Sequence, residues 1–287
     1  MLITVLTPTY NRAKLLDRLY QSFCHQTYQE FEWILVNDGS IDNTDEIVQK
    51  YITENIIDIN YIKQENGGKH RAVNRGVKEA KGELIFIADN DDWLLPDSLE
   101  TVAEMYQDIA NDHSFAGVCG LDVYADGTVI GGGMPQEVID CNSIDIRNIH
   151  HVGGDLKEVF RTDVLREIPF PEIEGERFCP EVVVWNRIAK KYKLRYFNKP
   201  IYMVEYQPEG ITSNITKARM KSPIASTICY KEMLSFNIPL KDKIRSAINY
   251  WRFRLCGSPH KFPKLPLKWL WTMPIGWMMH LNDLRKL

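Results

Sequence analysis

A chain of 287 residues suits one large domain, or one domain with an appendage, because single cores stop growing near roughly 250–300 residues. With 44% hydrophobic and 25% charged residues, 17 Gly and 14 Pro, collagen-like, wholly disordered and polytopic membrane classes are excluded. A net charge of −3 makes no field that would gather nucleic acid, and no zinc-finger or RNP pattern occurs, so no nucleic-acid partner is expected.

The first strand is expected at 3–6, ending in TPTYNR (7–12). A helix over 14–23 follows, with Leu15, Leu16, Leu19, Tyr20 and Phe23 on one face. The second strand, 33–36, ends in NDGS (37–40), and a helix over 45–51 repeats the amphipathic pattern. The third, 59–62, ends in ENGGK (65–69) and leads into a helix over 69–81. The fourth, 84–88, ends in Asp89-Asn90-Asp91-Asp92. Strand and helix alternating four times imply an α/β fold, a mostly parallel sheet flanked by helices on both faces. Ligands of such sheets sit beyond the carboxyl ends of the strands, which are the four polar loops just named.

Each loop has a chemistry. Asp89, Asp91 and Asp92 crowd one tight turn, and Mg²⁺ or Mn²⁺ held by oxygen ligands would relieve their repulsion. Asp38 can accept from the N–H of a base while Tyr10 stacks on it, which together would grip a nucleoside. Gly67 and Gly68 permit close backbone approach, Lys69 adds a positive charge, and the following helix offers free N–H groups, a combination suited to a diphosphate. Neither G-K-[ST] nor G-x-G-x-x-G is present, so ATPase and dehydrogenase readings fall.

Further along, Gly153-Gly154-Asp155 precedes an amphipathic run over 156–165, expected to be a helix; Asp155 either caps it or touches a ligand. Trp93 and Trp185 are rings that either stack on a ligand or serve the core. His150 and His151 are adjacent rather than at i, i+4, so no zinc site is assigned to them. Six cysteines (24, 119, 141, 179, 229, 256) form no C-x-x-C pair and read as reduced thiols. The opening MLITVLTPTYNR lacks the basic leader and apolar length of a signal peptide, which leads us to expect a cytoplasmic protein.

From Lys241 onward, ten Lys and Arg face two acids, Asp242 and Asp283, a balance of 10 − 2 = +8 on an otherwise acidic chain. Trp251, Trp269, Trp271 and Trp277 lie in the same stretch, whose most apolar part, 265–281, is interrupted by Lys268, Pro266 and Pro274. Residues 245–287 therefore read as a segment lying peripherally on an anionic membrane surface, or as a packed helical lid or a homo-oligomer contact.

TPTYNR, NDGS, ENGGKHRAVNRG (65–76), ADNDDWLLPDSL (88–99) and CPEVVVWNRIAKKY (179–192) together resemble the family 2 glycosyltransferases. The resemblance runs from Ile3 to Thr212 and implies a GT-A fold and inverting transfer from a nucleotide-diphosphate sugar, a UDP-sugar foremost. It implies that Thr7, Pro8, Tyr10, Asp38, Asn66, Lys69, Asn74, Asp89 and Asn90 line the nucleotide pocket. Asp91 and Asp92 would hold Mn²⁺ or Mg²⁺, and Glu181 would be the catalytic base, accepting a proton from a hydroxyl of a glycan or lipid-linked glycan acceptor. Trp93, Asp155 and Trp185 are the weaker candidates for acceptor or sugar contact. Two departures stand out. Ala72-Val73-Asn74-Arg75-Gly76 replaces the family's Ala-Arg-Asn-x-Gly, and Glu181-Val182 replaces a Glu-Asp pair. The expected organisation is a glycosyltransferase domain over 1–217, split into a nucleotide half (1–100) and an acceptor half (101–217), then a helical extension over 218–287. A sugar-phosphate nucleotidyltransferase would want a Gly-rich basic loop after the first strand, which TPTYNR is not; a non-catalytic sugar- or lipid-binding module of the same fold stays open.

Overall fold

The structure, a computed structural model, describes residues 1–207, 210, 211, 213–257 and 261–286. Thr212, where the family resemblance ends, and residues 258–260 and 287 of the tail lie outside the described residues. The chain forms two compact units, Met1–Pro169 with Ile188–Tyr206, and Phe170–Arg187 with Gln207–Leu287.

The first unit is built on a nine-stranded sheet flanked by helices. Strands β1 (Ile3–Thr9), β2 (Phe31–Asn37), β3 (Ile59–Lys63) and β4 (Leu84–Ile87) are mutually parallel in the order β3-β2-β1-β4. Helices α1 (Leu16–Cys24), α2 (Thr44–Glu54) and α3 (Lys69–Glu79) connect them. β1, β2 and β4 are buried along their whole length, as strands covered on both faces must be, which explains their unbroken apolar sequences. One side of the core is aromatic: Tyr20 of α1 stacks on Tyr51 of α2 at 3.9 Å, and Phe23 meets Trp33 edge-on at 5.0 Å. Helix α3 lies so close to the sheet that a Cβ at Gly76 would stand 2.1 Å from Leu6 Cδ1.

Beyond β4 the sheet becomes mixed. The two-residue β5 (Trp93–Leu94) and α4 (Ser98–Gln107) lead to β6 (Phe115–Tyr124), β7 (Val138–Cys141) and the short α5 (Asp145–Asn148). Then come β8 (Leu156–Arg161), α6 (Thr162–Glu167) and, after the second unit's first segment, β9 (Lys193–Val204). β8 is antiparallel to both β4 and β6, whereas β6 and β9 are parallel. An all-parallel run is therefore confined to β3-β2-β1-β4, and the rest of the sheet mixes the two directions.

The helix expected over 156–165 is corrected: residues 156–161 are a central strand, and only Thr162–Glu167 is helical. Leu156, Val159 and Phe160 have helical spacing, but pairing on both edges with β4 and β6 overrides that local periodicity. Asp155 therefore caps no helix.

The second unit is helical: α7 (Val182–Ala189) begins in it, and α8 (Ile215–Lys221), α9 (Pro223–Met233), α10 (Leu240–Arg254) and α11 (Met273–Leu284) follow. Residues 170–187 are tied to α9. The Glu176 carboxylate accepts from the N–H groups of Ile224 (2.6 Å) and Ala225 (2.8 Å) at the start of α9, and Arg187 makes a forked ion pair with Glu232. Among the described residues no helix is long and apolar enough to cross a membrane.

Candidate functional site

The carboxyl ends of β1, β2, β3 and β4 bring three of the sequence loops together through one buried carboxylate. Asp38, just past β2, donates its N–H to Thr9 carbonyl at 2.8 Å. Its Oδ1 accepts from Gln64 Nε2 (2.7 Å) and the Gly67 N–H (2.9 Å), and its Oδ2 from the Gly68 N–H (2.8 Å) and Asn66 Nδ2 (3.2 Å). Four bonds fill the acceptor capacity of a carboxylate. Asp38 thus acts on the chain itself, fixing the glycine loop. Gly68 sits at φ +96°, a conformation that favours glycine, and passes directly into α3.

Lys69, the first residue of α3, places Nζ 2.6 Å from Asp89 Oδ1. Burial alone would raise the Asp89 carboxyl, but the Lys69 and Lys157 ammonium groups outweigh it and hold the carboxyl below the ordinary range. Asp89 also donates its N–H to the Tyr202 hydroxyl at 2.6 Å, anchoring the acidic turn to β9. Asn90 Nδ2 reaches Thr9 Oγ1 at 2.9 Å, joining that turn to the end of β1.

The other two aspartates are pushed the opposite way. Burial and the Asp89 charge raise Asp91, and the same two causes raise the buried Asp92 to about 7. Asp92 Oδ1 accepts the Glu205 N–H at 3.0 Å. These are hard oxygen donors whose mutual repulsion a divalent cation would relieve, so the residues fit Mn²⁺ or Mg²⁺ in kind. Among the described residues no group of three or more His, Cys, Asp or Glu converges as a closed metal cage. Such ions are commonly held by one or two carboxylates and completed by phosphate oxygens and water.

Not every expected residue is at the surface of this site. Thr7 is fully buried, and its hydroxyl accepts from the Trp33 indole N–H at 3.0 Å, so its side chain serves the core. Pro8 and Asn74 are also buried, whereas Tyr10 is exposed. Asn66 turns its amide to Asp38. One face of Trp93 is covered by the Arg18 guanidinium, 3.7 Å from the ring centre; Arg18 also pairs with Glu205 at 2.6 Å and donates to the Asp91 carbonyl at 2.7 Å. Asp155 accepts from the Tyr206 hydroxyl at 2.7 Å, which raises that phenol further above its usual range after burial. Glu181 and Trp185 belong to the second unit. Glu181 precedes α7, its carbonyl accepting from Val184 (2.9 Å) and Trp185 (3.2 Å), and the Trp185 ring meets Phe170 edge-on at 5.8 Å.

Sequence reasoning passed over Asp122 and Lys157. Asp122 is buried in β6 beside Tyr202 of β9 in the sheet register, and its Oδ1 has no hydrogen-bond partner. Burial raises it to about 7, with Asp155 and Asp89 adding to the rise and Lys157 opposing it. Lys157 of β8 rests its ammonium 3.5 Å from the centre of the Tyr202 ring. The signal was available: AGVCGLDVY is an apolar strand interrupted by a single charge.

Comparison with known proteins bears on the family and the fold. The family model described as Glycosyl transferase family 2 matches residues 4–121. Glycosyltransferase GlyG of Streptococcus pneumoniae is 40% identical over 218 residues, covering 70% of each chain. Glycosyltransferase GlyA of the same organism is 35% identical over 234 residues, 79% of this chain but 32% of GlyA. This chain therefore spans about a third of GlyA. The solved structure of Staphylococcus aureus TarS 1-349 with UDP-GlcNAc superposes with a TM-score of 0.63 at 20% identity, covering 96% of this chain and 79% of that one, which speaks for the fold. By sequence, fold and relatives, the chain belongs to glycosyl transferase family 2 and is a glycosyltransferase with the GT-A fold.

Proposed function

We propose that the protein transfers a sugar, with inversion, from a UDP-sugar donor to a hydroxyl of a glycan or lipid-linked glycan acceptor. The observation that carries the reading is the linkage of Asp38, the Gly67-Gly68 loop, Lys69 and Asp89, which brings the glycine loop and the acidic turn together at the strand ends. The TarS structures bound to UDP and to UDP-GlcNAc support the donor class.

In this reading Tyr10 borders the nucleoside, Pro8 and Asn74 back its pocket from within the core, and Asp38 and Asn66 act by shaping the glycine loop. Lys69 and the backbone of the α3 N-terminus meet the diphosphate. Asp91 and Asp92 would hold Mn²⁺ or Mg²⁺, which when bound would supply positive charge beside the diphosphate. Asp89 stays ionised through Lys69 and contributes to the same turn. Glu181 accepts the acceptor hydroxyl's proton as its oxygen attacks the anomeric carbon opposite the leaving group. Trp93, Trp185 and Asp155 stand as contacts for sugar or acceptor. The enzyme works peripherally at the cytoplasmic face of an anionic membrane, where a lipid-linked acceptor is presented.

The test is release of UDP from a panel of UDP-sugars with Mn²⁺ and a candidate glycan acceptor. Glu181→Gln should keep UDP affinity and lower transfer by about 10²–10⁴-fold, the usual share of a general base. No UDP release from any donor would refute the transferase reading, and full turnover in Glu181→Gln would remove Glu181 from it.

A further inference from the structure

Helix α11 is amphipathic the wrong way round for a helix of a soluble core. Its buried residues are Gly276, His280 and Asp283. Of these, Gly276 and Asp283 pack on α10: a Cβ at Gly276 would stand 2.6 Å from Trp251 Cβ, and Asp283 makes a forked pair with Arg252, with Nε–Oδ2 at 2.5 Å and Nη2–Oδ1 at 2.7 Å. The apolar residues Met273, Trp277 and Leu284 recur at helical spacing along one flank of that buried stripe, Met278 lies on the side opposite it, and all four are exposed. The 3₁₀ turn over Leu267–Thr272 continues the pattern, burying Trp269 and Thr272 while Leu267 is 86% and Trp271 57% exposed. An ordinary surface helix buries its apolar stripe. Here two tryptophans, two methionines, three leucines and an isoleucine are exposed in one stretch of chain, an arrangement that marks an interaction surface.

The charges around it select the partner. Between residues 261 and 286 the single acid is Asp283, buried against Arg252, so the stretch exposes no carboxylate. Lys261 and Lys264 precede the apolar surface, Lys268 lies within it, and Arg285 and Lys286 follow it, all exposed. A second copy of this basic surface would meet it with like charge. An anionic bilayer offers both halves of the complement, negative headgroups for the lysines and arginines and an apolar layer beneath for Trp, Leu and Met. Tryptophan favours that boundary in particular.

We infer that the outward face of α11 and the preceding 3₁₀ turn, centred on Leu267, Trp271, Trp277 and Met278, is a docking surface for the interface of an anionic lipid bilayer. This rests on the proposed peripheral location and names the surface responsible. The helix lies in the plane of the interface and does not span it.

The full chain is sedimented with vesicles of phosphatidylcholine alone and of phosphatidylcholine with phosphatidylglycerol. Wild type should bind the anionic vesicles alone, and Trp277→Glu with Met278→Glu should weaken partitioning by about tenfold or more, because both apolar groups leave the acyl boundary. Both side chains are exposed, so the circular dichroism spectrum should not change. Quenching of tryptophan emission by brominated lipid gives a readout without a charged variant: wild type should be quenched, and less so in Trp271→Phe with Trp277→Phe. Binding undiminished in the Glu variant overturns the α11 surface and leaves the peripheral location standing. Failure of wild type to bind either vesicle overturns both. Concentration-dependent self-association, lost in the Glu variant without any vesicle binding, assigns the face to a second copy and overturns the lipid reading.

Discussion

Lys69 Nζ lies 2.6 Å from Asp89 Oδ1, although the strands that precede these residues, β3 and β4, are separated in the sheet by β2 and β1. Strands spaced about 4.8 Å apart put roughly 14 Å between β3 and β4. The glycine loop crosses that distance over the ends of β2 and β1 and delivers the first residue of α3 to the acidic turn. Replacing Lys69 by Met should weaken UDP binding about tenfold and uridine binding little, since one cation near the diphosphate is lost and the nucleoside contacts remain. Calorimetric titration with the two ligands checks this, and equal losses for both would count against a phosphate role.

Asp38→Ala leaves the Gly67 and Gly68 N–H groups and two side-chain amides without their acceptor. Unsatisfied buried donors cost about 1–3 kcal/mol each, and loop relaxation recovers part of that, so a loss of about 2–3 kcal/mol in urea unfolding is expected. UDP affinity should fall as well. Asp38→Asn, which keeps one acceptor oxygen, should be intermediate in both measurements.

Asp92 and Asp122 both carry folded values near 7, well above those of an unfolded chain near 4. The folded state therefore binds more protons than the unfolded state between these limits. The stability these groups lend is complete below about pH 4 and is lost as pH rises through about 7. Without divalent ions, Asp122→Asn should flatten the fall in melting temperature between about pH 5 and 8. A slope equal to wild type would show that Asp122 is ionised throughout.

Gly76→Ala should cost about 1–3 kcal/mol by overpacking, because its Cβ would collide with Leu6 Cδ1. Combining it with Leu6→Val should recover part of the loss. Simple addition of the two single effects in guanidinium unfolding would argue that α3 and β1 adjust independently.

The first hundred residues were legible because their strands are buried on both faces and their helices are amphipathic, so each period appears in the local sequence. The polar loops could be read for the same reason, as they interrupt strong apolar runs. What Asp38 does was not legible. Its spacing suggested a contact to a base, while its bonds to residues 64–68 depend on the strand order. β8 was misread as helix because Leu156, Val159 and Phe160 match a helical period by chance, and its partners lie far away in sequence. Lys157 and Tyr202 became meaningful once β8, β6 and β9 were aligned, a relation that no local window contains.

The chain leaves the first unit at Pro169 and re-enters it at Ile188. Strand β9, which pairs with β5, β6 and β7, is synthesised only after that departure. No single cleavage point can therefore yield an intact sheet freed of all second-unit residues. A fragment stopped before β9 would present the raw edge of β6 to any neighbouring chain, inviting aggregation during translation. A version reduced to the first unit would have to replace residues 170–187 with an artificial linker.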